Sequence, residues 1–156
     1  MKSIWRRREW MLGWGLAGVL PAALADEGRL PVPTSMADAL AAALARREPL
    51  VVMVSLVGCP FCRIVREHYL VPAWREGMAV VQIDFRDPRP ISDWQGRTTT
   101  QGALVKALGV SVAPTVMFFG RSGAEVAERL SGTYISDFYG AYLDQRIAQA
   151  RAAVRA

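Results

Sequence analysis

Cysteine and histidine are scarce in this chain of 156 residues. Its two cysteines, Cys59 and Cys62, form a single C-x-x-C motif, and His68 is its only histidine. Two thiols and one imidazole fall short of the four ligands that a structural zinc site usually needs. A c-type haem would require histidine directly after the second cysteine, where this chain has Arg63. The sequence therefore predicts neither a metal site nor a cofactor.

Net positive charge is small outside the beginning of the chain. The formal net charge is +5, but residues 1–25 contain four basic side chains against one acidic side chain, which leaves the remainder close to neutral. We expect no dense basic face that could neutralise phosphates, and therefore no nucleic-acid binding. The apolar fraction of 52% is typical of a folded globular domain.

The chain also lacks an apolar segment long enough to span a membrane readily. The apolar stretch Met11–Leu24 has about 14 residues, whereas a transmembrane helix needs ~20. Arg6–Arg8 precede it and the small-x-small sequence Ala23–Ala25 closes it, which is the order of a secretory signal peptide. The stretch Arg7–Met11 also resembles a twin-arginine signal. We therefore predict a signal peptide over residues 1–25, export to the periplasm and no stable membrane insertion after its removal; an uncleaved anchor is the alternative.

The rest of the chain alternates between helical and strand patterns. We predict a flexible mature N-terminus over residues 26–34 and one domain over residues 35–156, with a surface insertion over residues 86–100. The predicted helices cover residues 35–46, 59–69, 101–108 and 136–152, and the predicted strands cover residues 50–56, 78–85, 115–119 and 125–130. This order predicts an α/β fold in which a mixed central sheet is flanked by helices.

Several residues predict where the helices begin, end and bury their side chains. Thr34 or Ser35 caps the first helix, Pro72 ends or kinks the second, and Gly109 closes the third. The apolar stripe of the last helix consists of Tyr139, Leu143, Ile147, Ala150 and Val154.

The C-x-x-C motif lies where a predicted strand gives way to a helix. Free backbone N–H groups and the helix dipole should stabilise negative charge on Cys59 and lower the pKa of its thiol. Cys62 follows on the same helix face, at a separation that suits a disulfide. Cys59 can then attack a substrate disulfide and Cys62 can resolve the mixed disulfide. A Cu(I) carrier and an inert structural disulfide remain as alternatives.

The motif and its context resemble the thioredoxin superfamily. The resemblance rests on Val57–Arg63, which contains the C-x-x-C, and on Val112–Thr115 directly before the apolar strand Val116–Phe119. Gly96–Thr100 and the short helix after it are similar to periplasmic thioredoxin-like proteins of the SoxW type. The resemblance covers about residues 35–150 and implies a thioredoxin fold.

The resemblance also implies a function and a set of site residues. It implies a thiol–disulfide oxidoreductase in which Cys59 and Cys62 are catalytic, Pro60 and an exposed Phe61 complete the redox motif, and protein disulfides are the substrates. Pro114 would be a cis-proline beside the cysteine pair, and the backbone of Ala113 would pair with an extended substrate segment. We expect reductase or isomerase activity supplied by a membrane thiol relay. The alternatives are a DsbA-like thiol oxidase and a thioredoxin-fold binding protein that carries copper or sulfur species.

The chain departs from the family pattern at three places. Gly58 replaces the tryptophan that usually precedes the motif, and Met53 replaces a buried aspartate that would take a proton from Cys62. The dipeptide Pro60-Phe61 is nearer to the Pro-Tyr of glutaredoxins than to the Gly-Pro of thioredoxins. Glutathione is therefore a conceivable partner, although its usual anchoring residues are not recognised in the sequence.

Replacing Arg7 and Arg8 together by lysine tests the predicted export route. The twin-arginine signal is read by a receptor that distinguishes arginine from lysine, so periplasmic accumulation of this variant should fall by at least tenfold although the charge is unchanged. Cell fractionation measures the loss, and N-terminal sequencing of the exported protein should begin at Asp26. Arg6→Lys is the matched control. Normal accumulation of the double variant would show that export uses another route.

Overall fold

The structure is a computed structural model that describes residues 28–132 and 138–156. In chain order its elements are α1 (Met36–Ala45), β1 (Leu50–Ser55), α2 (Pro60–Val65), a π-helical turn (Arg66–Leu70), α3 (Val71–Arg75), β2 (Val80–Asp84), β3 (Pro90–Ser92), β4 (Thr98–Thr100), α4 (Gln101–Ala107), β5 (Thr115–Phe119), β6 (Glu125–Ser131) and α5 (Tyr139–Arg155). The predicted signal peptide and the predicted start of the last helix at Ser136 lie outside the described residues.

The central sheet is mixed, as the sequence predicts. Its strand order is β2-β1-β5-β6, in which β1 runs parallel to β2 and antiparallel to β5. All six residues of β1 are buried because helices cover both faces of the sheet. Val52 and Val54 pack on the side of α1 and α4, whereas Val51 and Met53 pack on the side of α2, α3 and α5. The core therefore consists of two apolar layers separated by the sheet.

The helix after the cysteine motif is longer than predicted. It continues from α2 through the π-helical turn into α3, where the Val71 N–H donates to the carbonyl oxygen of Arg66. The wider turn places Pro72 in the first turn of α3, where its missing N–H costs no regular hydrogen bond. The predicted end at Tyr69 was therefore wrong, because the π-helical turn absorbs the irregularity that the proline imposes.

The predicted surface insertion contains an ordered hairpin formed by β3 and β4. Asp93 closes its turn, since its Oδ1 accepts the N–H groups of Gln95 and Arg97, both at 2.9 Å. The backbone hydrogen bond from Arg97, followed by its guanidinium, holds the pKa of Asp93 below its usual range. Ile91 is only 2% exposed and belongs to the core layer of α1 and α4. The insertion is therefore anchored to the core through Ile91.

The predicted caps and the predicted apolar stripe are confirmed. Ser35 caps α1 by accepting the Asp38 N–H at 3.1 Å. Gly109 follows α4 with a φ of +66°, and the Val110 N–H donates to the Val105 carbonyl at 3.2 Å, which is a Schellman ending. The buried residues of α5 are those of the predicted stripe, Tyr139, Leu143, Ile147, Ala150 and Val154.

Truncation of Ile91 tests whether the hairpin contributes to the core. Ile91→Ala should lower the free energy of unfolding by about 2 to 5 kcal/mol, and Ile91→Val by about 1 kcal/mol. The alanine variant loses more because it leaves a larger cavity in the core than the valine variant does. Urea denaturation followed by circular dichroism measures both values. A loss below about 0.5 kcal/mol for Ile91→Ala, the size typical of a surface substitution, would contradict this placement.

Candidate active site

The cysteine motif lies at the end of β1, where the chain leaves the sheet and enters α2. Gly58 connects β1 and α2 with a φ of +79°, a left-handed backbone conformation that residues other than glycine rarely adopt. No heavy atom lies within 4 Å of a Cβ built at this position, so the backbone conformation rather than space favours glycine. The residue that replaces the usual tryptophan therefore shapes the turn into the motif.

Cys59 is the N-cap of α2. Its extended backbone aims the sulfur back at the helix, and the Sγ atom accepts the Cys62 N–H at 3.1 Å. Pro60 occupies the first turn, where it lacks an N–H that would otherwise be unsatisfied. A backbone donor directed at sulfur stabilises the thiolate that forms when the pair is reduced.

The two cysteines form a disulfide, and their Cα atoms are 5.3 Å apart. They differ in accessibility, since Cys59 is half-buried whereas Cys62 is 1% exposed and belongs to the apolar layer beneath the motif. A substrate can therefore approach the sulfur of Cys59 but not that of Cys62. This asymmetry is what an attacking and a resolving cysteine require.

The Ala113–Pro114 peptide bond is cis, as the resemblance implied. The sheet order places the loop before β5 next to the end of β1, and the Ala113 carbonyl oxygen lies 4.0 Å from the Cys59 sulfur. A hydrogen bond of 2.7 Å from the Thr115 hydroxyl to the Val112 carbonyl fixes this loop. Within residues 28–132 and 138–156, no backbone group hydrogen-bonds to Ala113. Its N–H and carbonyl are therefore available to an extended segment.

Apolar side chains surround the accessible sulfur. Val57 is 87% exposed, Phe61 is 50% exposed and Val112 is 43% exposed, so the predicted exposure of Phe61 is confirmed. Exposed apolar side chains close to a reactive group are typical of a contact surface for another protein. His68 is also exposed, and Trp94 packs on Phe119 at a ring-centroid distance of 4.6 Å.

The surroundings of Cys62 are apolar. Met53 is fully buried in the same layer as Cys62, where a thioredoxin would have its aspartate. Asp93 is the one buried carboxylate in the described ranges, and it lies in the hairpin. Asp84 pairs in register with Ser55 at the end of β1 and lines the groove beside Cys59. Sequence reasoning missed Asp84 because it lies on a different strand, at the end of β2, and reaches the site only through the pairing of β2 with β1.

A groove next to the motif gathers four arginines that sequence reasoning did not connect. They are Arg29, Arg63, Arg66 and Arg89, and they line a cavity of about 570 Å³ together with Cys59. The domain is close to neutral as a whole, but the fold brings these separated side chains to one place.

Comparison with known proteins identifies the family. A model of the thioredoxin-like domain matches residues 36–147, which is more than half of the chain. The chain belongs to this thioredoxin-like family. With its disulfide-forming C-x-x-C pair at the start of α2, this thioredoxin-like protein is a thiol–disulfide oxidoreductase. A search of curated proteins found no significant match.

Two solved structures with a TM-score of 0.50 or more support the same fold. A putative disulphide-isomerase from Bacteroides thetaiotaomicron is 20% identical, covers 78% of this chain and 94% of its own, and has a TM-score of 0.55. A thioredoxin from Thermus thermophilus is also 20% identical, covers 78% of this chain and 87% of its own, and has a TM-score of 0.50. The reduced periplasmic thioredoxin SoxS from Paracoccus pantotrophus is 21% identical, covers 66% of this chain and 99% of its own, and has a TM-score of 0.42. The narrower resemblance to the SoxW type stays a prediction.

In the described part of this thioredoxin-like chain, every helix is too short or too polar to cross a lipid bilayer.

Proposed function

We propose that this protein works in the periplasm, where it reduces or isomerises disulfide bonds in other proteins. The assignment of Cys59 as the attacking cysteine rests on the unequal accessibility of the two sulfurs, since Cys59 is half-buried and Cys62 is 1% exposed. The periplasmic location is supported by the signal-like sequence of residues 1–25.

The proposed reaction is a pair of thiol–disulfide exchanges. The Cys59 thiolate attacks one sulfur of the substrate disulfide, forms a mixed disulfide and releases the other sulfur as a thiolate. The Cys62 thiolate then attacks the Cys59 sulfur and releases the second substrate thiolate. Two electrons pass from the cysteine pair to the substrate, and protons from the two protein thiols balance the two product thiols. The protein is left with the Cys59–Cys62 disulfide.

The oxidised protein must be reduced again before the next turnover. Cytosolic reductases that use NADPH cannot reach an exported protein, so we propose a membrane-embedded dithiol relay as the electron donor. A relay dithiol would reverse the two exchanges, and its own pair would become a disulfide. In this direction the accessible Cys59 sulfur is again the atom that is attacked.

Substrate binding would use the loop before the cis-proline. No backbone group among the described residues pairs with the N–H or carbonyl of Ala113, so both can form strand-like hydrogen bonds with an extended substrate segment. Such bonds are independent of side-chain identity, so they would hold many sequences beside Cys59. The exposed side chains of Val57, Phe61 and Val112 would add apolar contact around the sulfur.

Trapping experiments test the roles of the two cysteines. Cys62→Ser should accumulate mixed disulfides through Cys59, because the resolving sulfur is absent. Cys59→Ser is the matched control and should trap at least tenfold less, since the buried Cys62 is out of reach of a protein substrate. Non-reducing electrophoresis after acid quenching and alkylation measures both. Equal trapping by the two variants, or trapping through Cys62 alone, would overturn the assignment.

The redox state of the pair in cells tests the direction of electron flow. A reductase or isomerase supplied by a membrane relay should keep more than half of its Cys59–Cys62 pairs as dithiols during growth. Acid quenching and alkylation with a mass-tagged maleimide separate the two forms on a gel. A pair that is mostly disulfide would instead favour the DsbA-like oxidase. Deletion of the cell's membrane thiol relay is the control, and it should shift the reductase toward the disulfide.

A further inference from the structure

We propose that the arginine-lined groove beside Cys59 selects disulfides that carry carboxylates close to their sulfur atoms. We call it the arginine groove. The inference rests on the proposed function, because it names the class of disulfide on which the same cysteine pair acts.

The arginine groove is built from distant parts of the chain. Its cavity of about 570 Å³ is lined by the N-terminal segment before α1, the connection from β1 to α2, one face of α2, the end of β2 and the residue before β3. Cys59 and Pro60 form part of its wall. A cavity of this size holds a small molecule or a few side chains of a peptide. A group bound there lies beside the sulfur that reacts.

The charges that line the groove are strongly unequal. Its lining contains four arginines but only one carboxylate, that of Asp84. Arg89 is neutralised by Asp87, whose Oδ2 accepts its Nε–H at 2.7 Å and whose carboxylate raises the pKa of Arg89. Arg29 and Arg63 form no ion pair with any residue in 28–132 or 138–156. Among the described residues, at least these two guanidinium groups are therefore unpaired and can bind a ligand.

Arg66 is held in position at the inner wall. Its Nε–H donates to the Gly28 carbonyl at 3.2 Å, and an Nη1–H donates to the Gln82 side-chain oxygen at 3.4 Å. Its side chain is 21% exposed, and its only carboxylate neighbour among the described residues is Glu67 at 3.9 Å. These neutral partners orient the Arg66 guanidinium without cancelling its charge, so the groove contains a preorganised cation in addition to the exposed Arg29 and Arg63.

Guanidinium groups in a groove favour carboxylate ligands for two reasons. The fork of N–H donors matches the two oxygens of a carboxylate, and a concave wall concentrates the electric field. A disulfide with a carboxylate near its sulfur is therefore attracted to the side of Cys59, whereas an ammonium group is repelled.

The arginine groove and the cis-proline loop lie on opposite sides of the motif. The groove includes residues of β2, and the loop precedes β5, and these two strands flank β1 in the sheet. A substrate can therefore pair its backbone with Ala113 on one side and place an acidic group among the arginines on the other. Both interactions would hold the substrate beside the Cys59 sulfur, but only binding by the arginines depends on the charge of the substrate.

Three small disulfides that differ in charge test the inference. The probes are 3,3′-dithiodipropionate with two carboxylates, bis(2-hydroxyethyl) disulfide without charge, and cystamine with two ammonium groups. The single-turnover rate constant of the reduced protein is measured for each and divided by the rate constant with dithiothreitol, which removes differences in intrinsic reactivity. The normalised rate constants should follow the order anionic, neutral, cationic.

The decisive variant replaces Arg29 and Arg63 by glutamine. The ratio of the anionic to the neutral rate constant should fall about tenfold, since each exposed ion pair contributes roughly two- to fivefold. This ratio compares two substrates of the same thiolate, so a changed Cys59 reactivity cancels. Arg75 and Arg121 are exposed and do not line the groove. Their double glutamine variant is the matched control and should keep the wild-type ratio.

The outcomes separate failure of the inference from failure of the proposed function. A wild-type protein that reduces all three probes without preference, or an equal fall of the ratio in the control variant, would overturn the inference alone. Failure of the wild-type protein to reduce any disulfide, peptide or small, would refute the proposed function and the inference with it. Added salt should lower the anionic preference by screening; a preference that does not change up to 1 M salt would contradict an electrostatic origin.

Two further probes distinguish the sources of the carboxylates. Oxidised glutathione represents small anionic disulfides, and a pair of acidic peptides joined by one disulfide represents acidic protein segments. The probe with the larger kcat/KM in the wild-type protein, and with the larger fall of kcat/KM in the Arg29→Gln/Arg63→Gln variant, represents the natural class of substrate. Insensitivity of both to the substitutions would overturn the inference.

Discussion

Burial of β1 on both faces is the constraint on which the rest of the molecule depends. Its six residues lie in the centre of the sheet, and alternate side chains enter the two apolar layers. Because β1 cannot shift without exposing one of these layers, the end of the strand is a fixed point. The chain must turn there at Gly58, and the turn presents Cys59 at the start of α2. The neighbouring strands β2 and β5 then determine what surrounds the sulfur.

The cysteine pair combines two different electrostatic environments within one helical turn. Cys59 receives a backbone N–H at its sulfur and lies beside a groove with excess positive charge. Cys62 is enclosed by apolar side chains, and Met53 takes the place of the carboxylate found in related proteins. Negative charge is therefore stabilised at Cys59, the sulfur proposed to attack, and has no such support at Cys62, the sulfur proposed to resolve the mixed disulfide. Any proton acceptor for Cys62 must be water or a group at the edge of the site, such as Asp84 or Ser55.

Local patterns in the sequence predicted the parts of the fold that local forces determine. The strand Thr115–Phe119 and the apolar stripe of α5 follow from runs and periodicities within one element, and both are observed as predicted. The cis bond at Pro114 came from family resemblance, because sequence alone favours trans. The hairpin within residues 86–100 was missed because its strands have three residues each and expose most of their side chains, which leaves little hydrophobic pattern to detect. The passage of the helix through Pro72 was missed because a π-helical turn has no sequence signal of its own.

The arginine groove was missed for a deeper reason. Composition counts charges along the chain, whereas a binding site depends on where the fold places them. Arg29, Arg63 and Arg89 come from three distant segments, and each looks like an ordinary solvated cation in its own surroundings. The parallel pairing of β1 with β2 brings Arg63 and Arg89 to the wall that also contains Cys59, and the Gln82 N–H, which donates to the Pro31 carbonyl, holds the segment of Arg29 against β2. A loop that binds the substrate backbone, as proposed for Ala113, would make such an enzyme general, because every peptide has the same N–H and carbonyl groups. The arginine groove lies on the opposite side of the Cys59 sulfur from this loop. Its positive charge is how this fold can narrow the range of substrates without altering the cysteine motif.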